Sequence, residues 1–216
     1  MDNLELRLQV IEIGKAMIDR GLTLGTGGNV SARCPGERKF LITPSGMPYH
    51  TLTPEDIVKV DLDTWETEGQ RKPSIEYHLH GKTYIAREDA LAVVHVHSFN
   101  AMALAVARKP LPVITDVCAL SMRGQVEVAE YGMSGSPELA DNVVAALGSR
   151  NAVLMSNHGS LCLGKNLAQA LDRCEVLEKL CLTYIYATIL GGATSLSQDT
   201  VVCLQEGLGK TYGQRK

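Results

Sequence analysis

Short apolar runs set between helical periods restrict the fold of this chain more than any other feature. Leu91 to His97 is rich in β-branched residues, and Ala152-Val153-Leu154-Met155 is wholly apolar. Both are too short for buried helices and read as strands inside a sheet. Phe40-Leu41-Ile42-Thr43, stopped by Pro44-Ser45-Gly46, and the alternating Ile57–Leu62 read as two more. Helical periods surround them: residues 4–20 ending at Gly21, Ser74–Glu88 with Ser74 as N-cap, Ala101–Ala107, and Ser136-Pro137-Glu138 to Leu147. The longest period, residues 167–190, closes at Gly191-Gly192 and carries Cys174, Leu177, Leu180, Cys181, Ile185 and Ile189 as an inward stripe. No repeat, low-complexity tract or linker divides the sequence. Residues 1–216 are expected to form one α/β domain with helices around a central, mostly antiparallel sheet.

Composition narrows the partners. An apolar share of 45% is enough to bury a sizeable core and disfavours disorder. The 21 basic and 24 acidic residues leave a net charge of −3, without the basic excess that nucleic-acid binding usually requires. No apolar stretch approaches the roughly 18–20 residues of a membrane span. Met1–Arg20 lacks the basic start and unbroken apolar centre of a secretion signal. The six cysteines include no C-x-x-C pair and are expected to be reduced and mostly buried. A cytoplasmic location, with no nucleic-acid or membrane partner, is the expectation.

His95-Val96-His97 is the strongest local signal for chemistry. On a strand, residues i and i+2 point to one face, so two imidazoles project side by side at a spacing suited to one divalent ion. A pair of solvent-facing or hydrogen-bonded histidines at a strand end is the alternative. His158 ends another short strand, and Glu76 stands near the start of the preceding helix. Three histidines and a carboxylate suit zinc or cobalt with one substrate-displaceable position. His78 and His80 lie two apart on a predicted helix and do not share a face. At most one could join the site, the other reading being one exposed and one hydrogen-bonded in the core. His50 is placed on the surface. Gly25–Ser31 is not a dinucleotide fingerprint, because Val30 occupies its last glycine position. Its Thr26, Gly27, Gly28, Asn29 and Ser31 can still present N–H groups and hydroxyls to an anion, as can Ser45-Gly46 and Ser74. An ordinary turn is the alternative for that loop. Tyr131, taken alone, is a core or surface phenol.

Together and in order, Gly25-Thr26-Gly27-Gly28-Asn29-Val30-Ser31, Thr43-Pro44-Ser45-Gly46, Pro73-Ser74-Ile75-Glu76, His95-Val96-His97-Ser98 and Asn157-His158-Gly159 resemble the class II aldolase/adducin family. The resemblance spans nearly the whole chain. It implies a three-layer α/β/α fold around a mostly antiparallel sheet, and a homotetramer with active sites between neighbouring subunits. It implies zinc, or another divalent metal such as cobalt or manganese, on His95, His97 and His158. Glu76 is then the acid/base that also reaches the metal when substrate is absent. The substrate phosphate would lie against Thr26, Gly28, Asn29, Ser45, Gly46 and Ser74. Tyr131 of the adjacent subunit would act on the hydroxyl of the breaking bond, and Tyr212 in the tail would close over the aldehyde end.

The activity so implied is cleavage of a ketose 1-phosphate, of the L-fuculose 1-phosphate kind, to dihydroxyacetone phosphate and a small aldehyde. Decarboxylases of keto-sugar acid phosphates, dehydratases and pentulose-phosphate 4-epimerases use the same scaffold. Glu76 favours an aldolase over the epimerases, which place aspartate there. Ile75 stands where the aldolase that the chain most resembles has a second serine, so one phosphate-side hydroxyl is missing. A non-catalytic relative of the adducin head would have a broken metal site, whereas all three histidines and the carboxylate are present here.

Overall fold

The computed structural model describes residues 3–211. Eight strands make one sheet: β1 (Asn29–Arg33), β2 (Lys39–Ile42), β3 (Val58–Asp61), β4 (Thr67–Glu68), β5 (Ala92–Val96), β6 (Val128–Ala129), β7 (Ala152–Met155) and β8 (Gly159–Gly164). Their order is β4-β3-β2-β1-β5-β8-β7-β6, and only β6 with β7 is parallel. Seven α-helices accompany them among the described residues: α1 (Leu4–Asp19), α2 (Tyr77–Ala86), α3 (Phe99–Val106), α4 (Asp116–Met122), α5 (Pro137–Leu147), α6 (Leu167–Ile189) and α7 (Gln198–Thr211).

Strand alternation sorts the core into two layers. Val30 and Ala32 of β1, Ala92, Val94 and Val96 of β5, and Cys162 of β8 face Val10 and Met17 of α1, Leu104 of α3 and Leu171, Cys174 and Leu177 of α6. The intervening Val93, Leu161 and Leu163 face the opposite way with Phe40 and Ile42, onto Leu79 and Tyr84 of α2 and Leu139, Val143 and Leu147 of α5. The period of two along each strand therefore builds the helix–sheet–helix sandwich that the sequence implies. The cysteines are free, and only Cys203 of the six is exposed. No helix among the described residues is long and apolar enough to cross a membrane.

Several local expectations change. The Ser74 hydroxyl accepts from the Glu76 N–H, but the helix starts only at Tyr77 with Glu76 at its cap position. Ser74 N–H donates to the Thr43 carbonyl while Ser45 N–H donates to that of Lys72, across a Pro44–Pro73 bridge. Asn29–Arg33, read as part of a loop, is a central strand, and β8, α4 and α7 fall where the sequence suggests no element. Ile189 is 73% exposed, so the inward stripe of α6 ends before it. Ser136 does cap α5, its hydroxyl accepting from Leu139 N–H at 3.1 Å with Pro137 in the first turn.

Candidate active site

One end of the sheet gathers the predicted site. His95 lies in β5, His97 just beyond it, and His158 in the turn between β7 and β8, while Glu76 sits at the start of α2. Register brings them together: β1 places Asn29 opposite His95, and β8 places Ser160 opposite Val96. Asn157 takes a left-handed φ of 54°, which turns the chain so that His158 N–H can donate to the Met155 carbonyl. Glycine is required nearby for close approach. A Cβ at Gly28 would collide with the His95 carbonyl at 2.5 Å, and one at Gly27 would lie 2.9 Å from His97 Nδ1.

One ligand nitrogen from each of the three histidines falls within 4.8 Å of the others. His95 Nδ1–H donates to the Ser160 carbonyl at 2.9 Å, which leaves Nε2 as the lone pair facing inward. His97 Nε2 lies 2.9 Å from that atom. The Glu76 carboxylate reaches both sides, with Oε2 at 3.3 Å from His95 Nε2 and Oε1 at 3.3 Å from His158 Nε2. Burial holds the His95 imidazole well below its ordinary range, with His97 and His158 adding to it, and burial with His158 lowers His97. Both rings are thereby kept in the neutral form that binds metals. Glu76 Oε1 is buried and accepts no hydrogen bond among the described residues. Converging imidazole lone pairs and a carboxylate oxygen without a donor fit a divalent cation.

The anion-ready segments lie beside this cluster. Thr43 ties them together: its hydroxyl accepts from Val30 N–H at 3.2 Å, and its carbonyl accepts from Ser74 N–H. Ser45 and Gly46 thus stand next to Ser74, both exposed, and Thr26 is exposed in the loop before β1. Asn29 is different, because its side chain is engaged at both ends. Its Nδ2 donates to Glu76 Oε2 at 2.8 Å and its Oδ1 faces His80 Nε2. Tyr131 is 56% exposed after β6, and its loop reaches the segment just before α2, where a Cβ at Gly135 would lie 3.0 Å from the Ile75 carbonyl. Tyr212 lies outside the described residues. His50 is exposed and paired with Asp19, whereas His78 packs against Trp65 and Tyr77.

Of the His78 and His80 pair, His80 is the one hydrogen-bonded in the core, while His78 is half-buried rather than exposed. His80 is fully buried, its Nδ1 2.6 Å from the Ser31 hydroxyl, which lies 2.8 Å from the Tyr84 hydroxyl. Glu76, His80 and Tyr84 repeat every four residues and share one face of α2. Below them Asn29, Ser31 and Arg33 share one face of β1, and Arg33 donates to the Tyr84 carbonyl at 2.7 Å. The signal was the i, i+4 spacing from Glu76, hidden by the reading of residues 29–33 as a loop.

A sequence profile of the Class II Aldolase and Adducin N-terminal domain matches residues 8–185. The chain belongs to this class II aldolase/adducin family. Within the family it is 35% identical to the 5-deoxy-D-ribulose 1-phosphate aldolase of Bacillus thuringiensis serovar kurstaki, covering 97% of each chain. It is also 35% identical to the L-fuculose phosphate aldolase of Escherichia coli strain K12, over 100% of this chain and 99% of that one. A solved L-fuculose 1-phosphate aldolase superposes with a TM-score of 0.91 at 33% identity, covering 97% of each chain. The chain is an aldolase, a lyase of the class II type, whose members depend on a metal, and its His95, His97 and His158 could hold one.

Proposed function

We propose that residues 1–216 act as one zinc-dependent aldolase domain that cleaves a ketose 1-phosphate to dihydroxyacetone phosphate and a small aldehyde. The observation that carries this reading is the Glu76 carboxylate, held by Asn29 between two of three converging imidazoles with one oxygen undonated. His95, His97 and His158 would hold the zinc, with Glu76 as a fourth ligand until substrate arrives. When bound, the zinc supplies the positive charge that stabilises the enediolate left by cleavage.

The residues of the chain do the rest. Breaking the C3–C4 bond leaves its electron pair on C3, and the C4 hydroxyl loses its proton as the aldehyde forms. Glu76, having taken a proton from solvent onto its free Oε1, delivers it to C3 and completes dihydroxyacetone phosphate. Tyr131 of a neighbouring subunit accepts the C4 hydroxyl proton at its phenol oxygen as its own proton passes to solvent, and Tyr212 closes over the aldehyde. Thr26, Gly28, Ser45, Gly46 and Ser74 hold the phosphate with neutral donors, while Asn29 offers it only main chain because its amide faces Glu76. The relatives named for 5-deoxy-D-ribulose 1-phosphate and L-fuculose 1-phosphate have substrates that differ in the aldehyde half, and this proposal commits only to the shared half. A homotetramer is supported by apolar side chains exposed at the end of α6, with Ile189 at 73% and Leu190 at 88%.

The test is a panel of ketose 1-phosphates, L-fuculose 1-phosphate and 5-deoxyribulose 1-phosphate among them, with triose-phosphate release as the readout. Zinc-loaded protein is expected to release dihydroxyacetone phosphate, and Glu76→Gln to lower kcat by about 10²–10⁴-fold. No triose phosphate from any member with zinc confirmed bound, carbon dioxide evolution from a keto-sugar acid phosphate instead, or loss of water without C–C cleavage, overturns the reading.

A further inference from the structure

The buried groups behind Glu76 form a hydrogen-bond chain whose direction is fixed at one end. An ionised carboxylate only accepts, so the contact from Asn29 to Glu76 Oε2 at 2.8 Å must come from the amide NH₂. Asn29 Oδ1 is then turned toward His80, and an amide oxygen demands a donor there, so His80 carries its proton on Nε2. Nδ1 is left bare and accepts from the Ser31 hydroxyl at 2.6 Å. Ser31 Oγ, having donated, accepts from the Tyr84 phenol at 2.8 Å. Ser31, His80 and Tyr84 are fully buried and Asn29 is 4% exposed, so no water is needed to complete the chain.

Resting on the aldolase reading above, we propose that His80 is a positioning residue for Glu76. Locked in its Nε2–H form by Ser31 and Tyr84, it makes Asn29 present its NH₂, and not its oxygen, to the carboxylate. The reversed amide would set an oxygen against the Glu76 charge and an NH₂ against the His80 N–H, two repulsions in a dry site. The anchored Oε2 fixes the carboxylate, and Oε1 becomes the single oxygen left to exchange a proton with substrate. Burial pushes the His80 imidazole down to about 3, so the ring stays neutral and keeps one tautomer. Burial likewise holds the proton on the Tyr84 phenol. Nothing in the chain needs to ionise during turnover; its contribution is orientation.

Two measurements on the zinc-loaded full-length protein test this. Long-range proton–nitrogen NMR of the histidine rings is expected to show His80 protonated at Nε2, bare at Nδ1, and unchanged from about pH 6 to 8. A proton on Nδ1, or titration in that range, overturns the proposal whatever the activity. Kinetically, His80→Leu is expected to lower kcat by roughly 10- to 100-fold with KM nearly unchanged and zinc retained. His80→Gln, which can donate to Asn29 and accept from Ser31, should recover most of that loss. If His80→Leu does not fold, Ser31→Ala takes its place, with a smaller fall in kcat expected. Wild-type kcat in whichever folded, zinc-loaded variant is used overturns the positioning role. An inert wild-type protein with the expected ring state would overturn the aldolase reading while still bearing out the orientation of Asn29.

Discussion

Glycine does as much as histidine to shape the centre. At Gly159 an added Cβ would strike the Val96 carbonyl and sit 2.9 Å from His97 Cδ2 and 3.2 Å from His95 Cε1. Two of those three atoms belong to ligand rings, so the rings or the β5 backbone would have to shift. Gly159→Ala is therefore expected to cost about 1–3 kcal/mol from overpacking and to weaken metal binding as well. Urea denaturation and zinc content after dialysis check the two halves; wild-type values in both would show that the rings have room to spare. The histidine and glutamate positions were legible as residue types at strand and helix ends. Asn29 was legible as a donor, yet its acceptor could not be read from sequence, because the contact joins residues 47 apart.

At the scale of elements, caps illustrate how local signals succeed and fail. Ser136 reads as an N-cap and is one, so Ser136→Ala should remove about 1 kcal/mol of stability. Since the Ser136 hydroxyl accepts from Leu139 N–H and bonds none of the candidate metal ligands among the described residues, activity per folded molecule should be unchanged. A shift in urea midpoint with constant kcat is the expected result; a loss of kcat would tie α5 to the site. Ser74 carries the same signal, but α2 starts only at Tyr77 with Glu76 at the cap position; the Ser74 hydroxyl accepts from Glu76 N–H while its N–H is tied to the Thr43 carbonyl by a contact made in three dimensions. β1 escaped notice for a related reason. Its apolar Val30 and Ala32 alternate with Asn29, Ser31 and Arg33; the first two polar residues are buried and the third half-buried, through partners at the start of and along α2 that no local pattern reveals. β8 begins and ends in glycine, which weakens a strand signal, but a Cβ at Gly164 would collide with Ala170 N and Asn166 O at 2.5 Å. Local pattern breaks where a chemical site or a close packing contact takes precedence.

Across the whole molecule, the candidate metal would join segments distant in sequence: the start of α2, the end of β5 and the β7–β8 turn. An ion bound only by the folded form stabilises it by about 2.7 kcal/mol at a hundredfold excess over Kd, which for a chain of this size raises Tm by about 5–10 °C. Chelation should therefore lower Tm and added zinc restore it, as read by calorimetry. An unchanged Tm in protein shown by metal analysis to have lost its ion would argue against a site that bridges the fold. Light scattering should give a mass four times the 23.4 kDa of one chain; a monomer with full activity would remove Tyr131 of a neighbour from the mechanism.

The stacking of α2 over β1 has a consequence for recombination. Four helical residues advance about 6 Å and two strand residues about 6.7 Å, so the two ladders stay nearly commensurate from Glu76 over Asn29 to Tyr84 over Ser31 and Arg33. A chimera that took α2 from one relative and β1 from another could keep every apolar contact and still mismatch these rungs. Strand and helix, separated by three further strands in the chain, are inherited usefully only as a pair.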